Sequence, residues 1–234
     1  MPLSDVEIIS RITHAQRAKR LVITPIISTR QFQPSSFDLR LGSDFKVIRN
    51  VRQPYFNPLV SQDVILKQVK HYLMPVTVRE FQGVVIHPGE FALGCTLEYI
   101  RLPVDIAAVL EGKSTWGRLG LKIHSTAGFV DPGFSGRLTF EIENGGNIPI
   151  VLLPGLRVAQ LCFQWCDQPS ARPYGATGAD SKYQYQLGTT ASRFFKDSEL
   201  NFFRRKRQAA LAGRLRISEE VVRNLLTELY EEFL

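Results

Sequence analysis

The apolar runs of this chain are short, and turn-forming Gly, Pro, Asn and Asp are scattered between them. Val64-Ile65-Leu66, Val76-Thr77-Val78 and Val84-Val85-Ile86 are three-residue examples, and Phe91 to Ile100 is a longer one after the turn His87-Pro88-Gly89-Glu90. β-Branched and aromatic residues in short runs between turn signals predict strands. Phe37, Leu39 and Leu41 alternate with Asp38 and Arg40, which predicts a half-buried strand with a polar outer face. Leu21 to Ile27, interrupted by Pro25, and Phe45 to Ile48 read the same way. So do Ile148 to Leu153 and Leu156 to Phe163, joined by Pro154-Gly155. Arg49 to Asp63 is rich in Pro, Asn and Gln and reads as a long loop. Helix is nearly absent before residue 195, so the expected architecture is an all-β barrel or sandwich.

The exception is the N-terminus. Ser4 and Glu7 form a capping-box pair, and Val6, Ile9 and Ile12 recur at helical spacing, so a short helix is expected to about His14. Beyond Asp167 the composition changes. Residues 168–193 are rich in Gly, Ser, Ala, Thr and Tyr but carry Tyr174, Lys182, Tyr183, Gln186 and Arg193, which suits a lid that orders over a ligand. From residue 196 the pattern turns helical: a basic helix over Leu200 to Ala212, then a second one capped by Ser218 with Val222, Leu225, Leu226, Leu229 and Phe233 as its apolar stripe. The expected division is therefore a β domain over 1–195 and a helical extension over 196–234.

A chain of 234 residues can bury one large core. No uncharged apolar run is long enough for a membrane helix, and MPLSDVEIISRI lacks a secretory pattern, so a cytoplasmic protein is expected. Cys95, Cys162 and Cys166 form neither a redox pair nor a zinc set, and no metal ligands are assigned. The net charge of +7 suits nucleic acid or a small polyanion. The only dense basic cluster, Arg204 to Arg207, lies away from the chemically richest stretch and reads as a solvated run, which argues against nucleic acid and favours a triphosphate.

That richest stretch is Leu110 to Asn144. Lys113-Ser114-Thr115 sets two hydroxyls behind a cation, with Arg118 following, and such groups donate to phosphate oxygens. Glu141 stands between Phe140 and Ile142, where desolvation favours a proton-shuttling carboxyl. Asp131 precedes Pro132-Gly133 and fits a turn as well as a site.

Here the residues resemble the trimeric dCTP deaminases, which share a fold with trimeric dUTPases. The resemblance runs through Gln33-Pro34-Ser35-Ser36-Phe37-Asp38-Leu39-Arg40-Leu41, His87-Pro88-Gly89-Glu90-Phe91 and the stretch 110–144. It continues through Leu153-Pro154-Gly155, Gln160-Leu161-Cys162, Arg172-Pro173-Tyr174-Gly175 and Ser181-Lys182-Tyr183-Gln184, covering roughly residues 1–195. It implies a mainly β, dUTPase-like distorted jelly-roll and a homotrimer with active sites at subunit interfaces. It also implies deamination at cytosine C4 without a protein-bound metal. Glu141 is implied as proton shuttle, with Ser114, Arg118 and the Ala127 carbonyl positioning water. Lys113, Ser114, Thr115, Trp116, Gly117 and Arg118 are implied around the substrate, with Tyr174, Lys182 and Gln186 joining from the lid. Thr139, Phe140 and Gln160 would surround the base, and Asp131 the sugar 3′-hydroxyl. Mg²⁺ would arrive with the triphosphate, zinc is not implied, and dTTP is implied as a feedback inhibitor.

Monofunctional members, which release dUTP, carry His-Arg before Asp-Pro-Gly; here Gly128-Phe129 stand at those positions. That dipeptide, with Lys113 where many monofunctional members have arginine, resembles the bifunctional branch that forms dUMP and diphosphate. A monofunctional deaminase, a dUTPase alone and a non-catalytic nucleotide binder are the competing readings. Trp116 replaces the usual leucine.

Overall fold

Alternation decides the central strands. In Thr139–Asn144, Phe140, Ile142 and Asn144 are buried while Thr139, Glu141 and Glu143 are half-buried. The computed structural model describes residues 1–49, 55–79 and 82–211. In chain order they form α1 (Asp5–Ile12), β1 (Val22–Thr24), β2 (Phe32–Gln33), β3 (Ser36–Arg40), β4 (Asp44–Ile48), α2 (Gln62–Tyr72), β5 (Leu73–Thr77) and β6 (Val84–Ile86). There follow β7 (Phe91–Cys95), β8 (Tyr99–Arg101), β9 (Ile106–Gly112), α3 (Ser114–Gly117), β10 (Leu121–Lys122), β11 (Phe129–Val130), β12 (Ser135–Gly136) and β13 (Thr139–Asn144). The last elements are β14 (Ile150–Leu152), β15 (Arg157–Trp165) and α4 (Ser198–Leu211).

The described residues fall into two compact units, 1–49 with 73–79 and 82–191, and 55–72 with 192–211. The first is the mainly β body. Its two five-stranded antiparallel sheets run β10-β13-β7-β4-β5 and β11-β9-β15-β3-β2. A three-stranded sheet, β1-β8-β12, and a two-stranded one, β14-β6, complete it. Phe37 and Phe163 from one large sheet and Phe45 and Phe140 from the other are fully buried in a single core. Each such ring contributes about 1.5–3 kcal/mol by leaving water.

Several expectations change. α1 has its capping box, but it buries Ile8 and Arg11 and leaves Val6 and Ile9 exposed. Arg11 turns inward because Asp105 accepts two of its N–H groups, at 2.7 and 2.9 Å. Val64-Ile65-Leu66 is not a strand but part of α2, where Ile65, Val69 and Tyr72 repeat at helical spacing. The loop predicted to Asp63 therefore ends at Ser61, before α2 begins at Gln62, and residues 50–54 lie outside the described ones. Phe91 to Ile100 is two strands, because the chain bends at Leu97-Glu98 to bury the Glu98 carboxyl. In β3 the polar face is not solvated: Asp38 is as buried as Phe37 and Leu39.

In the second unit the basic run is not wholly solvated either. Arg204 is buried and donates to the carbonyls of Pro58 and Phe195 and to Asn201 Oδ1. These bonds compensate the charge they desolvate. The predicted second C-terminal helix, from Ser218, lies outside the described residues.

Candidate active site

The site residues gather in two groups. The first lies where β9 ends. Lys113 caps α3 through its carbonyl, which accepts from Trp116 and Gly117 at 3.0 Å, while its own N–H donates to the Val158 carbonyl on β15. One helical turn then presents Ser114, Thr115, Gly117 and Arg118, all exposed. Gly120 closes the turn at φ +87°, with Gly146 so near that an added Cβ would lie 2.7 Å from it. Trp116 packs on the core, and its indole N–H donates to the Arg157 carbonyl at 2.9 Å. The larger side chain thus anchors α3 to β15.

Beneath this turn is a feature the sequence reading missed. The fully buried Asp38 carboxylate accepts from Lys113 Nζ at 2.7 Å and from Arg157 at 2.9 Å. A buried carboxylate needs such partners, and two cations around it leave net positive charge under the hydroxyl turn. Gln160 on β15 stands in register between Asp38 on β3 and Glu111 on β9, so the three share one sheet face.

The second group lies on β13 and the loops beside it. Glu141 is half-buried, its N–H donating to the Ile123 carbonyl at 3.1 Å. Thr126 Oγ donates to Glu141 Oε2 at 3.3 Å. Ala127 is exposed, and Gly128 approaches β9 so closely that its carbonyl accepts from Leu110 N–H at 2.7 Å. The His124 ring lies beside Gly128, and both its nitrogens are buried without a partner.

Residues 168–193 strap across this second group. Tyr174 N–H donates to Pro132 O, next to the exposed Asp131, and the Tyr174 ring packs on Phe134 at 5.8 Å. Burial pushes the Tyr174 phenol above its ordinary pKa, so it remains a proton donor. Gln184 bonds Gly133 and Ser135. Gln186 is buried, with its amide N–H on the Arg137 carbonyl at 2.6 Å and within 3.5 Å of Thr139 Oγ. Lys182 pairs with Asp180 at 3.5 Å. Among the described residues, no hydrogen bond or ion pair joins the side chains of Lys113–Arg118 or Gln160 to Glu141, Thr139 or Asp131. Nor do three His, Cys, Asp or Glu side chains converge as metal ligands among the described residues.

This arrangement defines a mainly β protein with an exposed cation-and-hydroxyl turn, a separate half-buried strand carboxyl, and a polar strap bonded along Pro132 to Thr139. Residues 3–166 match the family described as dCTP deaminase-like, and the chain belongs to that family. Over 181 residues it is 45% identical to a dUMP-forming dCTP deaminase of Methanosphaera stadtmanae, covering 77% of this chain and 89% of the relative. Over 204 residues it is 46% identical to that of Mycolicibacterium smegmatis, covering 87% of this chain and 100% of the relative. Among solved structures, the 2′-deoxycytidine 5′-triphosphate deaminase from Agrobacterium tumefaciens superposes with a TM-score of 0.53 at 26% identity. The match covers 70% of this chain and 48% of that one, so the chain spans about half the length of that structure.

Proposed function

We propose that the protein deaminates dCTP at cytosine C4 and hydrolyses the triphosphate, releasing ammonia, diphosphate and dUMP. The observation that carries this reading is Glu141: a half-buried carboxyl on a rigid strand, with one long contact from Thr126 and lone pairs to spare. It takes a proton from water as the oxygen adds to C4, then gives one to the departing amine. Ser114, Arg118 and the Ala127 carbonyl position the water. Thr139, Phe140 and Gln160 surround the base.

Lys113 keeps one N–H on Asp38 and has two further donors for phosphate oxygens, beside Ser114, Thr115, Trp116-Gly117 and Arg118. Tyr174, Lys182 and Gln186 close on the phosphates from the strap. Asp131 holds the sugar 3′-hydroxyl and orients the second water toward the α-phosphorus. Mg²⁺ enters bound to the triphosphate, as part of the substrate. The exposure of Ser114, Thr115, Arg118 and Asp131 in a single chain supports completion of each site by a neighbouring copy in a homotrimer. dTTP, sharing the sugar and phosphates, acts as feedback inhibitor, and the enzyme works in the cytoplasm.

Gly128 supports the dUMP-forming branch. A Cβ there would lie 2.8 Å from the Leu110 carbonyl, so the histidine of monofunctional members would force this loop to another path. Chromatography of dCTP turnover with Mg²⁺ tests the reading. The expected nucleotide product is dUMP; accumulation of free dUTP would assign the chain to the monofunctional branch, and unchanged dCTP would remove the activity.

A further inference from the structure

Beside the groups around Glu141 and Lys113, and sharing Tyr174 with the residues proposed to hold the substrate, the mainly β body has a cleft of about 1210 Å³, large enough for a whole small molecule. Its floor is the outer face of the sheet β1-β8-β12. Val22 and Ser135 flank Arg101 in register, and Tyr99 lies two residues along β8, so these side chains share one face. The alternate residues, Ile23 and Ile100, are buried in the core. Tyr99 and Ser135 join their hydroxyls at 2.7 Å on that floor. One wall is the single helical turn Arg17–Lys19 with Arg20; the other is the strap at Pro173–Ala176 and Gln184-Tyr185.

Two features of this cleft point to a ligand, although backbone bonds such as Tyr185 N–H to the Ser135 carbonyl at 2.7 Å also hold the strap there. The first is charge. Arg17, Arg20 and Arg101 all line it, and among the described residues none forms an ion pair. Arg20 donates to the carbonyls of His14 and Ala15, and Arg101 to that of Arg17. Those bonds fix the guanidiniums at the rim without neutralising them. Nearby Arg11, by contrast, has Asp105. The second is Tyr185. It is the one non-glycine described residue with positive φ, at 60°, and its ring is 70% exposed while lining the cleft. A large side chain held in that backbone region costs of order 1–3 kcal/mol, and such strain gathers at ligand-binding positions.

We infer that this cleft is a second nucleotide site, taking a nucleoside oligophosphate: phosphates on Arg17, Arg20 and Arg101, the base against the Tyr185 ring. Guanidiniums bind phosphate oxygens in paired fashion, and an exposed aromatic ring stacks on any base. The binding claim does not depend on the deaminase reading. If that reading holds, the ligand touches the strap that carries Tyr174 and Gln186, and so communicates with the substrate site.

Calorimetric titration of the full chain with ATP and, separately, with inorganic tripolyphosphate tests this. Both probes are expected to bind. Arg17→Ala/Arg101→Ala should weaken both at least about ten-fold, through loss of two charge-assisted contacts. Tyr185→Asn, which tolerates the positive φ but has no ring, should weaken ATP and spare tripolyphosphate. Lys113→Met, in the turn proposed for the substrate phosphates, should reduce only the binding that survives the arginine changes and leave the arginine-dependent component as it is. Should the double variant misfold, Arg17→Glu at an exposed position carries the same expectation for both probes. The inference is overturned by absence of binding, by binding wholly indifferent to the arginine changes, by loss of the arginine-dependent component in Lys113→Met, or by ATP affinity indifferent to Tyr185→Asn.

Discussion

Glu98 and Glu141 are both carboxyls beside apolar strand residues, and their surroundings differ. Glu98, in the bend between β7 and β8, is fully buried and spends both oxygens: Oε1 accepts from Gln31 at 2.8 Å and Oε2 from the Arg40 N–H at 3.0 Å. Burial pushes its pKa above the usual carboxylate value, while its hydrogen bonds pull the other way. Glu141 is half-buried and has one side-chain contact, at 3.3 Å. A carboxyl whose lone pairs are consumed locks a bend; one with lone pairs to spare suits the proton-shuttling role proposed for it. Asp38 stands between them, fully buried, yet arming Lys113 beside the hydroxyl turn.

Substitutions can break this contrast. Glu141→Gln should lower the rate of ammonia release from dCTP by about 10²–10⁴-fold, the range for a general acid–base group, with the melting temperature nearly unchanged. Retained deamination would give the proton transfer to another group. Asp38→Asn should cost about 3 kcal/mol of stability, since Lys113 and Arg157 lose their shared counter-charge, and should raise KM for dCTP more than it lowers kcat. Equal effects on KM and kcat would separate Asp38 from substrate binding. Glu98→Gln should destabilise by about 1–3 kcal/mol, because its amide sets a donor against Gln31 or the Arg40 N–H, and kcat of the folded enzyme should hold.

The smallest effect is in pH dependence. Glu98 has a raised folded pKa, so its contribution is full below the ordinary value of 4.5 and is lost as pH rises through the folded value. Asp105 runs oppositely: the Arg11 hydrogen bonds lower its pKa, so its stabilisation is present above the ordinary 3.8 and lost as pH falls through the folded value. Denaturant midpoints plotted against pH should therefore lose part of their fall with rising pH above 4.5 in Glu98→Gln, and part of their rise with pH around and below 3.8 in Asp105→Asn. Unaltered curves in both would refute these assignments.

Local signals were legible and distant pairings were not. The capping box at Ser4 and Glu7 and the apolar positions Phe37 and Leu39 of β3 depend on neighbours in sequence, and they could be read directly. α2 was hidden because Val64-Ile65-Leu66 is a three-residue apolar run that suits strand or helix equally. Asp38 looked solvated because alternation alone places it outward; its cations come from β15 and the residue after β9, far along the chain. Residues 168–193 announced a polar lid by composition, but nothing in composition named Pro132, Arg137 and Thr139 as what it covers. Arg204 was taken for a solvated charge because its carbonyl partners leave no mark in sequence.

The most direct measurement is a crystal structure of the Glu141→Gln protein with dCTP and Mg²⁺. The account predicts the residue-141 side chain within about 3 Å of the cytosine amino edge, with Lys113 to Arg118 of one copy on the phosphates. A base bound elsewhere, with that side chain turned to bulk water in every copy, would contradict it.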